Sequence, residues 1–152
     1  MQDTIRIEGS LSRVETDLLR VIVSHMIPAS SEHDVPGADD AVIFSDIVRS
    51  LGREEPAIKR ILSIVDQLSN QGFAELDPAS KAKVITTLRQ DHALLLSQLV
   101  TAVTRCYYRD DRVMRSLDME PRPPFPRGFE VTEGDWSLLD PVRARGPIWR
   151  KV

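Results

Sequence analysis

Apolar residues recur at helical spacing in blocks over the first 117 positions, and the period is lost beyond them. Leu11, Val14, Leu18, Ile22 and Met26 follow one another three or four apart, with Leu19, Val23 and Ile27 widening the stripe. Such spacing puts apolar side chains on one face of an α-helix. Ser12 and Glu15 fit a capping box, in which hydroxyl and carboxylate each take one free amide of the first turn. A first helix is therefore predicted over 12–27, stopped by Pro28. Residues 28–40 are turn formers and acids, which predict a loop. Asp39 or Asp40 can cap a second helix over 40–51, with Phe44, Ile47, Val48 and Leu51 on its apolar face and Gly52 as its stop. Glu54, Glu55 and Pro56 suit the first turn of a third helix over 54–71. Its face is Ile58, Ile61, Leu62, Val65 and Leu68; Gly72 ends it, and Phe73 folds back on the last turn.

Asp77-Pro78 opens the next helix as cap and first residue. Ile85, Leu88, His92, Leu95, Leu99, Val103 and Cys106 would then share one face of a helix of about 30 residues, longer than most globular helices. A break near 89–93, with Asp91 as a new cap, divides it. A short helix over 111–117 follows, started by Asp110 or Asp111 and closed by Arg115. The pattern predicts an all-α fold. A small bundle of four to six helices spans 1–117, and a long, mostly irregular arm rich in proline and aromatics spans 118–152, the whole forming a single domain.

Length and composition fit this picture. The chain has 152 residues, 41% hydrophobic and 28% charged, ordinary for one globular domain. A net charge of −3 gives no reason to expect nucleic acid or an anionic membrane as partner. No apolar run approaches the roughly 20 residues of a membrane span. The single cysteine, Cys106, excludes an internal disulfide framework. No internal repeat is visible.

The stretch from Tyr107 to Trp149 holds both tryptophans, both tyrosines, two of the four phenylalanines and six of the ten prolines. Aromatics are spent on cores and interfaces. Here they sit where no period builds a core, so the segment reads as one that wraps a surface, either its own bundle or another protein. Proline lowers the entropy lost on such ordering. Tyr107, Tyr108, Arg109 and Arg112 have two compatible readings: a helix–turn–helix corner with aspartates capping and arginines pairing, or an interface anchor, since Tyr and Arg dominate hot spots. Pro121 to Pro126 reads as a polyproline II strap, with Pro124, Phe125 and Pro126 followed by Phe129 and Trp136. Arg143, Arg145, Arg150 and Lys151 make the end basic, suited to pairing with carboxylates, and Trp149 sits among them.

Catalytic chemistry has little support. His25 and His92 lie on or beside apolar stripes and read as boundary histidines. His33, with Glu32, Asp34, Asp39 and Asp40, offers metal-ligand types, but the spacing matches no zinc or EF-hand pattern, and capping explains the acids equally well. Cys106 reads as a buried small residue without an activating base. No catalytic, cofactor-binding or metal residue is predicted.

Three short stretches and the tail carry a resemblance: His25-Met26-Ile27-Pro28, Pro36-Gly37-Ala38-Asp39, Cys106-Tyr107-Tyr108-Arg109-Asp110-Asp111, and PRPPFPRGFEVTEGDWSLLDPVRARGPIWR. Through them the chain resembles the gluconate 2-dehydrogenase subunit 3 family over nearly its whole length. The resemblance implies a small non-catalytic subunit that binds no flavin itself. Its partner would be a large flavoprotein dehydrogenase of the glucose–methanol–choline type acting on sugars or alcohols, often with a cytochrome subunit. The arm and the Tyr107–Arg112 cluster would face that partner. Many family members carry a twin-arginine export signal. Here Arg6, Arg13 and Arg20 are isolated and no apolar segment follows, so the sequence predicts a cytoplasmic protein, or a periplasmic or membrane-associated one if an export signal lies outside it. The alternative, from a different class, is a self-contained homo-oligomeric or regulatory helical module without a dehydrogenase partner.

Overall fold

A computed structural model of the chain describes residues 11–70, 72–123, 125–129 and 133–146. The fold is all-α, a small helical bundle, and the chain divides into two compact units, Met1–Pro121 and Arg122–Val152. In the first unit the described α-helices are α1 (Arg13–Met26), α2 (Ala41–Arg49), α3 (Glu55–Leu68), α4 (Pro78–Asp91), α5 (Ala93–Tyr107) and α6 (Asp111–Ser116). Short 3-10 helices, Gly52–Glu54 and Phe73–Glu75, precede α3 and α4. Helix α5 is the central element and packs against α2, α3 and α4, while α1 lies on α3.

Local chemistry sets most helix starts. Ser12 and Glu15 close the capping box on α1: Glu15 N donates to Ser12 Oγ at 3.2 Å and Ser12 N to Glu15 Oε2 at 2.7 Å. Asp40 caps α2, accepting from Val42 N and Ile43 N. Asp77 caps α4 and Pro78 fills its first position, where no amide is needed. The core is built from the apolar stripes. Leu19, Ile43, Phe44, Ile47, Ile58, Ile61, Leu62, Val65, Leu88, Leu99 and Val103 are almost fully buried. Burial of each such side chain is worth about 1.5–3 kcal/mol.

Five sequence expectations change. Val14 is exposed, because the buried face of α1 is made by Leu19, Ile22 and Val23 and does not extend to it. Leu68 is likewise exposed at the end of α3. Helix α3 stops before Gly72. Ser69 Oγ donates to Val65 O at 2.6 Å, and Asn70 takes the left-handed conformation, φ 51°. Serine competes for the last carbonyls and Asn tolerates positive φ, so the stop falls there. Phe73 is buried in its own 3-10 helix, which packs on α1, with its ring edge-on to His25 at 6.0 Å. Finally, Asp91 is the last residue of α4, and the break falls at His92, whose side chain makes no capping bond.

The second unit contains a 3-10 helix, Trp136–Leu139, capped by Asp135 and running into α7 (Asp140–Ala144). None of its described residues is buried. No helix among the described residues is long and apolar enough to cross a membrane.

Candidate functional site

The loop between α1 and α2 is held from several sides. Ser30 and Val35 exchange two backbone hydrogen bonds of 3.0 Å, closing a tight turn in which Asp34 has φ 50°. Ala38 N donates to Ile27 O at 2.9 Å, and the Ala38 side chain is fully buried. Arg20 lies over the Phe44 ring, 4.1 Å from its centre, and donates to Asp39 O.

The α5–α6 corner completes this region. Tyr107 is buried and its hydroxyl donates to Pro36 O at 3.0 Å, across 71 positions of sequence. Arg109 grips Asp46 with two bonds, Nε to Oδ2 at 2.7 Å and Nη2 to Oδ1 at 2.6 Å, and reaches Ser50 Oγ at 2.9 Å. Such a fork is the geometry in which an arginine–carboxylate pair is strongest. Asp110 caps α6 and pairs with Arg112, which also bonds Asp40 at 2.8 Å. Hydrogen bonds from Arg112 hold the Asp40 and Asp110 carboxyls below the ordinary carboxylate range. The bond to Asp46 raises Arg109, and burial raises the Tyr107 hydroxyl. Tyr108 is half exposed and stacks edge-on to Tyr107 at 5.3 Å. The stretches His25–Pro28, Pro36–Asp39 and Cys106–Asp111 thus meet at one corner. Three of the four polar–aromatic residues named there, Tyr107, Arg109 and Arg112, bind within the unit, and Tyr108 turns its ring outward.

In the second unit Phe125, Phe129, Trp136, Leu138, Leu139 and Val142 are all exposed. The Arg122 guanidinium lies 4.9 Å from the Phe129 ring centre and donates to Gly128 O, which folds 122–129 back on itself. Pro126 and Arg145 are exposed, and Arg143 makes a loose 3.4 Å contact with Asp140. Pro124 and Trp149, with Ile148, Arg150 and Lys151, lie outside the described residues.

The remaining chemical candidates stay apart. Glu32 and His33 are exposed on the 30–35 turn, while Asp40 is committed to α2 and Arg112. Among the described residues no three His, Cys, Asp or Glu side chains are placed to hold a metal ion. Cys106 is buried, and burial together with the Asp46 charge pushes its thiol up, which keeps it protonated at neutral pH. Pattern reading gave no role in this corner to Asp46 or Arg20. Asp46 sits 63 positions from its arginine, so no local spacing signals the pair.

The fold and corner define a small helical module whose polar groups are spent on fixing loops. No family model, no curated protein and no solved structure matches the chain.

Proposed function

We propose that the chain is a non-catalytic small subunit that stabilises, or helps to mature, a glucose–methanol–choline-type flavin dehydrogenase acting on sugars or alcohols. The resemblance in its three short stretches and tail motivates the reading. One observation carries it: the tail displays Phe125, Phe129, Trp136, Leu138, Leu139 and Val142 to solvent, and none of its described residues is buried. Exposed aromatic surface of that kind marks interaction sites. Tyr108 and the tail aromatics are the side chains offered to the flavoprotein, and Tyr107, Arg109 and Arg112 hold the corner that presents Tyr108.

Co-expression with candidate flavoproteins from the same genome, followed by pull-down on a tag, tests the reading. A yellow eluate with flavin absorbance is expected, lost when residues 118–152 are removed. A colourless, monodisperse protein recovered from every pairing would sink it. A concentration-dependent homo-oligomer in that eluate would favour the self-contained module instead.

A further inference from the structure

We propose that the cleft between α1, α3, α4 and α5 binds a free medium-chain aliphatic carboxylate. The cleft encloses about 300 Å³ within the helical unit. An apolar cavity of ~150 Å³ takes up benzene, and a chain group about the ~30 Å³ size of a water share would fit here roughly ten times. Its floor is Ile22, Ile61, Leu88 and Leu99, all buried, and Met26 and Leu96 form partly buried walls. Val100, also on the lining, remains 41% exposed. An aliphatic tail would cover apolar surface that now faces water.

The polar lining decides the head group. Thr104 Oγ1 is committed to Val100 O at 2.8 Å, and His25 Nδ1 lies 2.8 Å from Val21 O with its ring set against Phe73. Arg89, in the last turn of α4, lines the cleft and has no hydrogen-bond or ion-pair partner among the described residues. Among the described residues no carboxylate lines the cleft. The cleft therefore combines an arginine on its lining with an apolar floor, which matches one carboxylate on a slim hydrocarbon. An apolar side chain from a partner protein would fill the same walls but leave the guanidinium unmatched.

The full chain, titrated calorimetrically with decanoate below its micelle concentration, should show one saturable site. 1-Decanol and decyltrimethylammonium should bind at least about tenfold more weakly, and Arg89→Gln should weaken decanoate about tenfold, the size of one lost charge-assisted contact. Ile85→Trp, checked for native helicity, should fill the cleft and remove binding. Absence of saturable decanoate binding overturns the proposal, as does equal binding of decanol, indifference to Arg89→Gln, or survival of binding in folded Ile85→Trp. The outcome is independent of the accessory-subunit reading.

Discussion

A β-carbon added at Gly37 would lie 2.9 Å from Ala29 N and 3.3 Å from Ile27 O, and closer still to Asp39 Oδ1. Two of these neighbours are backbone and cannot swing aside. The same backbone carries the Ala38–Ile27 hydrogen bond, so relief of the clash would loosen the loop. Gly37→Ala should cost about 1–3 kcal/mol, the usual penalty of overpacking, read as a lower urea midpoint with unchanged slope. An unchanged midpoint would mean that the loop adapts freely. The carboxyls of Asp40 and Asp110 give a second test. Arg112 holds both below their unfolded values, so the folded state binds fewer protons. Their stabilisation is complete above the unfolded aspartate value of about 3.9 and is lost as pH falls through the lowered folded values. Asn also caps helices, so Asp40→Asn combined with Asp110→Asn keeps the caps and removes the titration. Between about pH 5 and pH 3 the wild type should lose more stability than the double variant; parallel losses would assign the acid sensitivity to other groups.

At the scale of elements, helix starts were legible because capping is local. Ser12 with Glu15, Asp40, Asp77 with Pro78, and Asp110 all lie within three residues of the amides they serve. Asp77 accepts from Ala79 N at 2.9 Å, Ser80 N at 3.1 Å and Ser80 Oγ at 2.6 Å. Asp77→Ala should therefore lower stability by about 0.5–2 kcal/mol in chemical denaturation, and a loss below that range would show that packing alone fixes the start of α4. Helix ends were less legible, because several residues compete for the last carbonyls. Ser69 and Asn70 end α3 before Gly72 has a role, and the α4–α5 break takes place without a side-chain cap at His92. Apolar period correctly marked the faces of α2 and α5. It misplaced Val14, since period alone does not reveal how wide a face the neighbouring helix covers. The α7 turn escaped the pattern because five residues are too few to show a period.

For the whole molecule, the corner illustrates what spacing cannot disclose. Tyr107 and Arg109 were singled out by composition, yet their partners, Pro36 and Asp46, are 71 and 63 positions away. Only the packing of α5 against α2 brings these positions together. Among the described residues every buried one lies from Leu11 to Val113, and the described part of 122–152 buries none. Burial of apolar surface is what offsets chain entropy, so the two units should differ in autonomy. A chain ending at Pro121 should fold by itself and unfold in one sigmoidal transition, followed by helical circular dichroism in urea. The isolated 122–152 peptide should show only a broad, non-cooperative change, because α7 is far shorter than the roughly 12–15 residues at which even good helices become marginal in water. A shallow transition in the 1–121 chain would place part of the stabilising core in the tail. That result would also remove the physical basis for treating the exposed aromatics as surface offered to a partner.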